Sequence, residues 1–132
     1  MKGAWDRRSG RKTVLIVEDE EDFRRMLSLS LGWAGFDALE ASDGLTAIAL
    51  LDGSRVDAVI LDLNLPGFDR LVVRDEIAAH PLTRDVPVII VTGSEKPLPD
   101  VSPSCVLRKP VTPERVVATV ATCLREARRA TK

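Results

Sequence analysis

The chain has 132 residues, 45% of them hydrophobic and 30% charged, with a formal net charge of −1. That length fits one compact domain burying roughly two-thirds of its unfolded surface, and the composition is that of a globular chain rather than a disordered one. The N-terminus lacks the stretch of about 7 to 15 apolar residues that a signal peptide needs, and no run approaches a membrane span, so a cytoplasmic protein without a membrane segment is expected.

Residues 1–12 hold Lys2, Arg7, Arg8, Arg11 and Lys12 against Asp6, with Gly3, Gly10 and a lone Trp5, and read as a flexible basic leader. The domain is expected over residues 13–128, with a short tail at 129–132. Val14 to Val17 forms a first buried strand and ends in five consecutive acids, Glu18-Asp19-Glu20-Glu21-Asp22. Phe23, Met26, Leu27, Leu31 and Ala34 then recur at helical spacing until Gly35 stops the helix. Phe36 to Leu39 reads as the second strand, followed by Ser42 and Asp43 as cap candidates for a helix burying Leu45, Ile48 and Leu51.

Ala58 to Leu61 is the third strand, and Asp62-Leu63-Asn64-Leu65-Pro66-Gly67 carries the chain from its end into a turn. Leu71 to Ala79 is a helix with Leu71, Val72 and Ile77 inward, closing before His80-Pro81 because proline disfavours helix at the residue ahead of it. The lone His80 reads as a solvated helix-end residue. Pro87 to Val91 is the fourth strand. Pro97, Pro99 and Pro103 cannot share one helix, so residues 94–103 are expected as a loop or at most a single turn. Ser104 to Leu107 returns to strand, and Thr112-Pro113-Glu114 opens a last helix with a side-chain cap, proline at the first position and an acid in the first turn.

That helix buries Val116, Val117, Val120, Ala121 and Leu124, and Arg125, Arg128 and Arg129 complement its C-terminal end. The two basic ends suit either an anionic partner or plain solvation, and with no nucleic-acid motif beside them no nucleic-acid partner is expected. Cys105 and Cys123 lack a CxxC spacing and the chain has one histidine, so spacing indicates neither a zinc site nor a disulfide framework. Both cysteines read as small core or helix-face residues.

Five short apolar strands alternating with helices predict an α/β fold, a doubly wound parallel sheet covered on both faces, with its crevice beyond the strands' C-terminal ends. Glu18 and Asp19 follow the first strand, Asp62 the third, Thr92 the fourth and Lys109 the fifth. All five then share one edge. Converging carboxylates repel and either hold protons or bind a cation, for which a hard ion such as Mg²⁺ is suited. A metal-neutralised aspartate can attack phosphorus, and the transferring group's three oxygens need electrophilic partners, which Mg²⁺, Lys109 and Thr92 would supply.

The segments Val14 to Glu20, Val59 to Pro66, Val91-Thr92-Gly93 and Lys109-Pro110 resemble, in order and in composition, the response-regulator receiver domain of two-component signalling. The resemblance implies a five-stranded sheet in the order 2-1-3-4-5 and phosphorylation of Asp62 by a histidine kinase or histidine phosphotransfer protein. It further implies Mg²⁺ coordination by Glu18, Asp19, Asp62 and the Asn64 backbone carbonyl, with Thr92 and Lys109 on the phosphoryl group and kinase docking near Phe23 to Leu27. Asn64 and Ser94 occupy positions that tune hydrolysis in that family. No enzymatic activity is expected beyond this self-catalysed transfer and dephosphorylation, and a dimeric state is left open.

The chain departs from the family pattern in three places. Val106 replaces the aromatic ring three residues before the lysine. Only 17 positions separate Thr92 from Lys109, so the helix between the fourth and fifth strands is expected to be short or absent. Arg70 stands where a glycine is usual, with Gly67 as the alternative source of flexibility. The switch is therefore expected to order the 93–103 loop.

A pseudo-receiver, an interaction module that works without phosphorylation, is the alternative. A flavin carrier is disfavoured because five acids at the first loop would repel a phosphate, and a haloacid-dehalogenase-type phosphatase because Asn64 cannot act as acid or base. No effector segment follows the last helix within these residues, which fits a stand-alone receiver and a piece of a longer regulator equally.

Overall fold

The computed structural model describes residues 10–63, 75–79, 85–93 and 105–130. Three central strands, β1 (Thr13–Val17), β3 (Ala58–Asp62) and β4 (Val88–Thr92), are built mainly of Val, Ile and Leu, and every residue in them but Val88 is buried. Such runs do not alternate because both faces of the sheet are covered. The five strands are parallel in the order β2-β1-β3-β4-β5, with β2 (Asp37–Ala41) and β5 (Val106–Arg108) at the edges. The edges are blunted: β5 has three residues, and Asp37 and Glu40 of β2 pair with Arg11 at 2.8 Å and Arg24 at 3.0 Å.

Period-two geometry sorts the core into two layers. Val14, Ile16, Ala58, Ile60, Ile89 and Val91 face Leu27 and Leu31 of α1 (Glu21–Trp33) and Val116, Val120 and Cys123 of α4 (Pro113–Ala130). Leu15, Val17, Val59, Leu61 and Ile90 face Ala47 and Leu51 of α2 (Gly44–Gly53) and Ile77 of α3, the helical residues 75–79. The doubly wound sheet expected from the sequence is the one observed.

Several local expectations shift. Gly35 does end α1, at φ +97°, with Gly35 N donating to Gly32 O at 3.1 Å and Phe36 N to Leu31 O at 2.9 Å. This paired closure uses Phe36, so β2 starts at Asp37 instead of Phe36. Of the two cap candidates Asp43 is the N-cap of α2, accepting from Thr46 N at 2.8 Å. Leu45, expected inside, is 79% exposed, because the buried face of α2 is the one set by Gly44, Ala47 and Leu51 at helical spacing, and Leu45 does not share it. Met26 is likewise exposed while Leu27 is fully buried, so Leu27 is not available to a docking partner.

The exposed large apolar side chains of α1 are Met26, Leu29 and Trp33. Thr112 caps α4 as expected, accepting from Arg115 N at 3.2 Å. Trp5, Asn64, Gly67, Arg70, Leu71, Val72, His80, Ser94, Pro97, Pro99, Pro103 and Ser104 lie outside the described residues, and with them the expectations for the 94–103 segment.

Candidate functional site

The five acids after β1 divide their labour. Glu18 is 1% exposed and sits against the sheet edge, its N–H donating to Ala41 O at 3.0 Å. Asp19 is exposed beside it. Glu20 is the N-cap of α1, its carboxylate accepting from Phe23 N at 3.2 Å, and Glu21 and Asp22 fill the first turn, where the helix dipole favours negative charge. A run that looks uniform in sequence thus splits into two site acids and three helix-initiating acids.

Strand register brings the remaining side chains in. Val17 pairs with Leu61, Asp62 with Val91 and Thr92 with Arg108, so the residues at and just past these strand ends lie side by side. Asp62 and Thr92 are each 1% exposed. Lys109, anchored by its N–H donating to Thr92 O at 2.8 Å, extends its ammonium to 3.4 Å from both Glu18 Oε1 and Asp62 Oδ2. Residues 18, 62 and 109 meet in space, 91 and 47 positions apart along the chain.

The electrostatics are those of crowded acids around one cation. Burial, reinforced by the hydrogen bond and charge of Asp62, raises the Glu18 carboxyl from 4.5 to about 7, against the pull of the Glu20 N–H and of Lys109. The Glu20 N–H donates to Glu18 Oε2 at 3.1 Å. At Lys109 burial pulls downward, but the Asp62 and Glu18 charges outweigh it, and the ammonium is held above its usual 10.5. Carboxylate oxygens of Glu18, Asp19 and Asp62 lie within 4.8 Å of one another. Three hard oxygen donors, one of which burial and the neighbouring Asp62 keep protonated to near neutrality, fit a small divalent cation.

Glu18, Asp19, Asp62 and Lys109 are therefore brought together, Thr92 lies buried on the same edge, and Asn64 falls outside the described residues. Two neighbours were not anticipated. The Phe23 ring lies 5.5 Å from the Lys109 ammonium, within cation–π range. Arg24 donates to the Glu18 carbonyl at 2.9 Å while its Nε holds Glu40 at 3.0 Å, pinning the first loop to β2. Phe23 could have been flagged as the one aromatic next to the acid run; nothing local marks Arg24. Val106, the residue in place of an expected ring, opens β5 opposite Ile90 and is half-buried.

Comparison with known proteins gives a consistent answer. Residues 14–121 match the family model described as response regulator receiver domain. The phosphate regulon transcriptional regulatory protein PhoB of Pseudomonas aeruginosa is 33% identical over 119 residues, covering 86% of this chain and 52% of that protein. The sensory transduction protein RegX3 of Mycobacterium tuberculosis is 41% identical over 83 residues, 63% of this chain and 35% of that one. The chain thus spans about half the length, or less, of these curated relatives. Among solved structures, the Vibrio cholerae chemotaxis protein CheY4 superposes with a TM-score of 0.77 at 25% identity, covering 86% of this chain and 98% of that one. A sensor protein from Polaromonas superposes with a TM-score of 0.76 at 25% identity, over 89% and 98%.

Proposed function

This chain belongs to the response regulator receiver family, matched over residues 14–121, and from that premise we propose that it accepts a phosphoryl group on Asp62 from a phosphohistidine of a partner kinase or phosphotransfer protein. The observation that carries the reading is the Lys109 ammonium poised 3.4 Å from the Asp62 carboxylate at the C-terminal edge of a parallel sheet, with Glu18 and Asp19 alongside. In such folds that edge is where ligands bind.

One Asp62 oxygen forms the new P–O bond as the P–N bond to the donor imidazole breaks, the bonding pair leaving with the ring. The charge on the transferring group spreads over three oxygens. Lys109, already beside Asp62, pairs with one of them, and the Thr92 hydroxyl donates to another. Glu18, Asp19 and Asp62, whose carboxylate oxygens converge, would hold Mg²⁺, with the Asn64 backbone carbonyl as the further ligand the family resemblance implies. When bound, that ion neutralises the carboxylates and the phosphoryl oxygens. Burial of Glu18 and Asp62 excludes water from the Asp62 side of the transfer.

Incubation with acetyl phosphate and Mg²⁺, followed by intact mass, tests this. The wild-type chain gains one phosphoryl group and Asp62→Ala gains none. A wild-type chain that stays unmodified while binding Mg²⁺ overturns the proposal in favour of an interaction module that works without phosphorylation.

A further inference from the structure

Away from the acid edge, the described residues hold a second convergence of ligating side chains. Cys105, immediately before β5, and Cys123 and Glu126, three residues apart on α4, offer two sulfurs and a carboxylate oxygen within 4.8 Å of one another. Residues at i and i+3 share a helix face, so the α4 pair presents both donors together to the start of β5. Cys123 is 2% exposed, Cys105 is half-buried and Glu126 is exposed, which places the trio at the rim of the core layer under α4. Cys123 and Glu126 both lie past residue 121, where the family match ends.

We propose that Cys105, Cys123 and Glu126 form a binding site for a thiophilic divalent cation, Zn²⁺, clamping α4 to the start of β5. Two thiolates and a carboxylate are a zinc donor set, with sulfur about 2.3 Å and oxygen about 2.0 to 2.2 Å from the metal. Donor atoms no more than 4.8 Å apart reach a common tetrahedral centre by small side-chain rotations. The open side, toward exposed Glu126, leaves a fourth position for water. A bound cation relieves the crowding of three donors that carry negative charge when they coordinate. Binding expels one proton from each thiol. The spacing of the two cysteines in the chain lacks a zinc signature because the ligands come from separate elements.

The test is a titration of the reduced 132-residue chain with Co²⁺, then Zn²⁺. A thiolate-to-cobalt charge-transfer band with tetrahedral d–d absorption is expected, bleached by Zn²⁺, together with a Zn²⁺-induced rise in the thermal midpoint. Cys105→Ser and Cys123→Ala abolish the band, and Glu126→Gln weakens binding by at least about tenfold, the scale on which even supporting groups act. Asp62→Asn retains it, so this result stands or falls independently of the phosphoacceptor. Should Cys123→Ala fail to fold by circular dichroism, the half-buried Cys105→Ser decides alone. A reduced wild-type chain without the band, a band that survives Cys105→Ser, or a chain purified without reductant whose two thiols are joined as a disulfide overturns the proposal.

Discussion

At the level of single residues the site is governed by one proton. Glu18 ionises near 4.5 when unfolded and near 7 when folded, so the folded chain binds more protons between those values. Its contribution to stability is present below 4.5 and is lost as pH rises through 7. The same proton competes with a cation. Mg²⁺ affinity, measured by titration calorimetry, should fall about tenfold per pH unit below neutrality and level off above it. Glu18→Gln should bind more weakly and without that slope; an unchanged slope would place the competing proton elsewhere. A companion prediction holds above pH 7, where Glu18 is ionised: Asp62→Asn then removes one of two buried like charges and leaves Lys109 paired with Glu18. In the absence of divalent cations this variant should be more stable than wild type by about 1 kcal/mol in urea melts, and a destabilised variant would mean that Lys109 outweighs the repulsion.

Helices and strands deliver these residues through their ends. α1 begins where Glu20 caps it and finishes where Gly35 turns the chain at φ +97°, and both ends are set by a few side-chain and backbone bonds. A Cβ built at Gly35 meets nothing within 4 Å, so substitution there costs conformation and not contact. Gly35→Ala should therefore destabilise by about 1 kcal/mol. Its phosphorylation by acetyl phosphate should match wild type, because the turn lies at the opposite end of α1 from Glu18. A much larger loss in a thermal melt would show that the turn also fixes how β2 joins β1.

Across the whole molecule, stability resides in the two layers that sandwich β1, β3 and β4. Ile60, on the central strand and 1% exposed, packs under α1 and α4, and Ile60→Ala should cost about 2 to 5 kcal/mol. Leu45→Ala, at a position the helical spacing marks as core but 79% exposed in the fold, should change stability by no more than about 0.5 kcal/mol. Chemical denaturation of both variants measures the contrast; similar losses would mean that α2 turns its other face inward.

The strands and the acids at their ends were legible in the sequence, because an unbroken apolar run needs cover on both faces and a turn follows where it stops. Glu18, Asp19, Asp62, Thr92 and Lys109 could be assigned to one edge for the same reason: parallel strands place every C-terminal end on the same side. Stop signals such as Gly35 and caps such as Asp43 and Thr112 also read correctly, being decided within a turn of the chain. Only the folded chain decided that Ala47 and not Leu45 faces the sheet, that Phe23 and Arg24 support the site, and that Cys105 meets Cys123. Those outcomes depend on how closely helices approach the sheet and which elements become neighbours, and such distances between remote segments leave no periodic trace in the order of the residues.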